Sequence, residues 1–115
     1  MRKKEVQQGR EVEYDEVSLD AAEDLRAEGA TIVDVRRPDE RAVKHIPGSL
    51  HIPLDELSGR MAEVPEGRIL FVCAKGVRSA VAASMAEAAT GRSDVSSIAG
   101  GTDGWEAADK PINRG

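Results

Sequence analysis

The sequence predicts an α/β protein with a central, mostly parallel sheet of about five strands and helices on both faces. Three observations carry this. Short apolar runs rich in β-branched residues recur at 31–35, 69–72 and 95–98, each the length of a buried strand. Helical stretches lie between them, the clearest being the alanine-rich segment 79–89. Glycine and proline mark the changes from one pattern to the other, as at Gly29, Pro65-Glu66-Gly67 and Gly91.

Residues 1–10 are polar and lack periodicity, which predicts a flexible arm ahead of a single domain over 11–115. Val12 and Tyr14 alternate with charged residues and predict a short strand. Ser18 is placed to cap a helix that carries Ala21, Ala22 and Leu25 and ends near Gly29. The strand at 31–35 is broken by Arg37-Pro38-Asp39, a short helical turn follows, and His45-Ile46-Pro47-Gly48 makes a tight connection. A further strand is expected over 50–52. Leu54, Leu57 and Met61 then recur at helical spacing. After the run at 69–72 comes the long helix with Val81 and Met85 on one side, then the strand at 95–98. Gly100-Gly101 turns the chain into a last helix over 102–108.

Composition narrows the functional classes. Hydrophobic residues make up 40% and charged residues 32%, as in a soluble globular protein. A formal net charge of -5 argues against nucleic acid as a partner. No apolar span is long enough for a membrane helix and no segment has the pattern of a signal peptide. With one cysteine the chain forms no internal disulfide, so a reducing cytoplasm is the expected location. One cysteine and two scattered histidines, His45 and His51, make a zinc site unexpected, and no cofactor is implied. For each histidine a structural hydrogen bond to the backbone is the expected role.

The cysteine, Cys73, stands where the apolar run 69–72 gives way to Ala74-Lys75-Gly76-Val77-Arg78-Ser79 and the long helix. A helix N-terminus presents unpaired N–H groups and a positive dipole end, and Lys75 and Arg78 add two cations with no acid between them. Such surroundings favour thiolate over thiol. The plain alternative, a small hydrophobe ending a core strand, leaves this clustering of cations and glycine unexplained. Arg78 opposes the helix dipole, which calls for a compensating anion or an acidic partner. In a parallel sheet, ligands gather at the carboxyl ends of strands, so Asp34 and Arg36, leaving the strand at 31–35, would share the crevice with Cys73 if the two strands are neighbours. Successive amides around the loop would make an anion cradle for a thiolate, a persulfide, an oxyanion or a phosphate.

Three motifs resemble those of the single-domain rhodaneses, or thiosulfate sulfurtransferases. The first runs from Ile32-Val33-Asp34-Val35-Arg36-Arg37-Pro38-Asp39-Glu40 to His45-Ile46-Pro47-Gly48-Ser49 and Ile52-Pro53-Leu54. The second is the loop from Cys73 to Ser79, and the third is Gly100-Gly101-Thr102-Asp103-Gly104-Trp105. The resemblance implies a rhodanese-like fold and a two-step transfer of sulfane sulfur from thiosulfate or a similar donor through a Cys73 persulfide. The acceptor would be cyanide or a thiol, including one borne by a protein. It implies that Ala74, Lys75, Gly76, Val77, Arg78 and Ser79 bind the substrate, that Lys75 and Arg78 attract the dianionic donor, and that Asp34 and Arg36 support the site, either as a structural ion pair or in a catalytic role. Two rivals remain. A phosphatase or arsenate reductase of related fold would place one residue more between cysteine and arginine than the four here, 74–77. A non-catalytic binding module of this fold would have no need of the cysteine.

Overall fold

The computed structural model describes residues 1–7 and 9–115. Strands β1 (Arg2–Gln7) and β2 (Arg10–Val17) lead into helix α1 (Leu19–Ala27), followed by β3 (Thr31–Asp34), α2 (Pro38–Val43), β4 (Lys44–His45), β5 (Leu50–His51) and α3 (Leu54–Leu57). A 3-10 segment (Ser58–Glu63), β6 (Ile69–Val72), α4 (Val77–Thr90), β7 (Val95–Ile98), α5 (Gly101–Ala107) and β8 (Asn113–Arg114) complete the chain. The main sheet has six strands in the order β1-β2-β7-β6-β3-β5, parallel except for the β1–β2 pair. The α/β fold with a mostly parallel sheet is thus as the sequence predicts.

The layers follow from side-chain alternation along each strand. Val33, Phe71, Cys73 and Val95 face Ala82, Ala83 and Ala86 of α4, with Leu57 and Val64 beside them. Ile32, Leu70, Val72 and Ile98 face the other way, onto Ala22 of α1 and Trp105 of α5. Small buried side chains, Ser79, Ala82, Ala83 and Ala86, make up most of the sheet-facing side of α4 and let it lie close on the strands, with Met85 packed at the margin. On the opposite face Trp105 packs with Ala22 and Ile98 as its indole N–H donates to the Pro111 carbonyl at 2.7 Å, satisfying the one polar atom of a buried ring.

The local start and stop signals behave as their chemistry requires. The Ser18 hydroxyl accepts from Ala21 N–H at 3.1 Å and caps α1. Three elements differ from the sequence expectation. Residues 1–10 were expected as a flexible arm, yet Arg2–Gln7 form β1 and run antiparallel along β2. An apolar pattern is missing because this strand buries little; it is held by backbone bonds and by cross-strand pairs such as Arg2 with Glu13 and Asp15. Gln8, within the same span, lies outside the described residues. The helix expected from Leu54 to Met61 divides into α3 and a 3-10 segment with a kink at Arg60. Near the C-terminus, β8 pairs with β4, a contact with no periodic signature because each strand has two residues.

Candidate active site

Parallel pairing of β3 with β6 and of β6 with β7 brings three carboxyl ends to one edge of the sheet. Cys73 follows β6 directly and is almost fully buried. The loop from Cys73 to Gly76 then turns back over the end of β7. Gly76 takes φ 112, and a Cβ there would sit 3.6 Å from the Ile98 carbonyl oxygen and from the Gly100 nitrogen. The residue must therefore reach a left-handed conformation against backbone on one side, and glycine does so without strain.

The start of α5 clamps the loop from below. Thr102 N–H donates to the Cys73 carbonyl at 2.8 Å, and Asp103 N–H donates to the Ala74 carbonyl at 3.0 Å. Gly101, at φ 60, passes so close that a Cβ would lie 2.3 Å from the Cys73 carbonyl oxygen. The second glycine of the Gly100-Gly101 pair is required by this approach, beyond any need for a turn.

The thiol itself is held by donors. Gly76 N–H donates to Cys73 Sγ at 3.0 Å, and the Cys73 S–H donates to Ser79 Oγ at 3.5 Å. Burial pushes the Cys73 thiol up, but the Ser79 hydroxyl together with the amides of Ser79, Gly76 and Lys75 outweighs it, and the net displacement is downward. Ser79 is in turn 2.8 Å from Ser97 Oγ of β7.

Arg78, in the first turn of α4, finds the anion its position calls for. Its two terminal nitrogens meet the Glu40 carboxylate at 2.6 and 2.9 Å, a bidentate pair between α4 and α2. Arg78 holds the Glu40 carboxyl down to about 2, against the opposing effect of partial burial and with help from the Arg37 backbone N–H. The cation expected to attract a dianion therefore already has a carboxylate partner, whereas Lys75 is exposed on the loop. Val77, next to Arg78, is also exposed. Beside Arg78 opens a cleft of about 370 Å³ lined by Val35, Arg37, Pro53, Leu54 and Asp55.

Asp34 and Arg36 are buried and joined to each other, with Arg36 Nη2 at 2.8 Å from Asp34 Oδ2. Arg36 Nη2 also donates to the Lys44 carbonyl at 2.7 Å, and Arg41 reaches Asp34 at 3.3 Å. This network fastens the end of β3 to α2 and β4; among the described residues it has no hydrogen bond to Cys73. His51 Nε2 lies 2.8 Å from the Arg36 carbonyl, the backbone contact expected of it. His45 differs, because its Nδ1 is buried with no partner among the described residues.

Glu40, Ser97 and Gly101 are the site residues that sequence reasoning misses. A capping role conceals Glu40, whose carboxylate also accepts from Arg37 N–H at 3.1 Å. Ser97 left a signal: it and Ser96 are hydroxyls within an otherwise apolar buried strand, and a buried hydroxyl must find a partner.

Comparison with known proteins agrees with this architecture. The model of the Rhodanese-like domain matches residues 18–108. The thiosulfate sulfurtransferase GlpE of Ectopseudomonas mendocina is 33% identical over 95 residues, covering 83% of this chain and 87% of that protein. GlpE of Pseudomonas fluorescens is 35% identical over 95 residues, covering 81% and 85% respectively. Among solved structures, a rhodanese-related protein from Thermoplasma volcanium superposes with a TM-score of 0.77 at 25% identity, over 87% of this chain and 98% of that one. A cysteine in an amide-lined loop between a parallel strand and a helix, clamped by the start of α5, thus occurs here within a matching sequence and a matching fold, and the chain belongs to the rhodanese-like family.

Proposed function

We propose that the protein is a sulfurtransferase that carries sulfane sulfur on Cys73, with thiosulfate or a similar compound as donor. The observation that carries this reading is the placement of Cys73 Sγ among loop donors, Gly76 N–H at 3.0 Å foremost, which suits an anionic sulfur. The thiolate attacks the outer sulfur of the donor, the donor's S–S bond breaks, and its electron pair leaves with sulfite. A Cys73 persulfide remains, its terminal sulfur in reach of the loop amides. Cyanide or a thiol then attacks that sulfur, and the bonding pair returns to Cys73 as thiolate. The acceptor comes from outside, so a single cysteine suffices. Lys75 is the exposed cation that would draw in a dianionic donor, and Arg78, paired with Glu40, holds α4 and its loop against α2. The substrates are small molecules, with a thiol-bearing protein as a further acceptor, and the reduced thiol suits a cytoplasmic setting. No helix is long and apolar enough to cross a membrane among the described residues.

Intact mass after incubation with thiosulfate tests the reading. One added sulfur on the native chain, none on Cys73→Ser, and thiocyanate on addition of cyanide are expected. An unmodified chain and no thiocyanate with either thiosulfate or a mercaptopyruvate-type donor would overturn it in favour of a non-catalytic binding module.

A further inference from the structure

Ser97 has no place in the transfer chemistry, yet it is fully buried in the centre of the sheet and carries a hydroxyl where the strand pattern calls for an apolar side chain. It stands opposite Phe71 in the β6–β7 register and shares the α4-facing side of β7 with Val95. Its Oγ is 2.8 Å from Ser79 Oγ, and Ser79 Oγ is 3.5 Å from Cys73 Sγ. The three polar atoms form a chain of contacts from the sheet to the thiol, and all three residues are buried.

We infer that Ser97 is a positioning residue for the Cys73 thiolate: it holds the Ser79 hydroxyl toward the sulfur and orders the proton of that hydroxyl. The inference rests on the reading of Cys73 as the reacting sulfur. A hydroxyl has one proton and two lone pairs. When Cys73 is a thiol, its S–H donates to Ser79 Oγ, and Ser79 donates to Ser97 Oγ. When Cys73 is a thiolate, both bonds reverse: Ser97 donates to Ser79, and Ser79 donates to the sulfur. In the second arrangement the acceptor is charged, so the bonds are stronger, and in a chain each bond polarises the next. Ser97 therefore favours the thiolate without touching it. Without Ser97, the Ser79 hydroxyl loses its partner on the sheet side, and nothing then holds its proton toward the sulfur.

The pH dependence of Cys73 alkylation by iodoacetamide separates this from a packing role, because it needs no sulfur transfer at all. A sequence reading that is wrong about persulfide chemistry would fail in the thiosulfate mass experiment and leave the alkylation profile standing. In Ser97→Ala the profile is expected to move toward higher pH. The rate below the inflection falls about threefold, since a smaller thiolate fraction is only partly offset by its greater nucleophilicity, and the plateau at high pH rises. A merely structural disturbance scales both limbs together. Ser97→Thr keeps the hydroxyl and is expected to restore the native profile, whereas Ser97→Val, of the same shape without the hydroxyl, is not. Against a Ser79→Ala background, Ser97→Ala should change nothing further. A native profile in both Ser97→Ala and Ser97→Val, a common profile for Ser97→Thr and Ser97→Val, or an undiminished effect of Ser97→Ala in the absence of the Ser79 hydroxyl would each overturn the proposal.

Discussion

Arg78 lies in the first turn of α4, where a cation opposes the helix dipole at a cost of about 0.3–1 kcal/mol. Glu40 removes that conflict, and the bidentate geometry with about four-fifths of the carboxylate side chain withdrawn from water makes the pair stronger than an ordinary surface contact. The lowered Glu40 carboxyl gives this pair a pH signature. A carboxyl near 4.5 in the unfolded chain and about 2 in the folded one contributes stability that is complete above pH 4.5 and lost as the pH falls toward 2. Glu40→Gln is expected to lose on the order of 1–2 kcal/mol at pH 7. In urea denaturation the gap from the native chain should narrow steadily between pH 5 and pH 2; a constant gap would mean the charge of Glu40 is not what stabilises the contact. Ser97 and Ser79 act at the same scale, through one proton each.

Between elements, the decisive contact is the crossing of the Cys73 loop by the start of α5. Two α5 amides take the Cys73 and Ala74 carbonyls, which leaves the loop amides pointing inward to the sulfur. That arrangement depends on Gly101. A methyl at this position meets the Cys73 and Ala74 carbonyl oxygens at 2.3 and 2.4 Å, both backbone atoms with no freedom to step aside. Gly101→Ala is expected to destabilise the fold by about 2–4 kcal/mol, measured by chemical denaturation, and to slow alkylation of Cys73 in the fraction that remains native. Native stability and native alkylation together would show that the clamp is dispensable.

For the whole molecule, the parallel order β7-β6-β3 gathers the Cys73 loop, the Gly100-Gly101 turn and the Asp34–Arg36 network at the carboxyl ends of the strands, while β1 is an edge strand, paired with β2 and packed beside α4. Removal of residues 1–9 is expected to lower stability by about 1–3 kcal/mol and to leave the rate of sulfur loading from thiosulfate unchanged, as followed by mass spectrometry. A slower loading step would mean that β1 is coupled to the site. The alternation of strands and helices, the place of Cys73 at a strand end and the length of its loop are legible along the chain, because periodicity, glycine and chain spacing are local properties. The same local evidence called for an anion beside Arg78 without naming it. That the anion is Glu40, that Ser97 stands behind Ser79, and that the polar first residues form a strand emerge only once the chain is folded. Each joins groups far apart along the chain, or held by backbone bonds that carry no side-chain pattern, and such meetings follow from the order in which the strands are laid down rather than from any segment read alone.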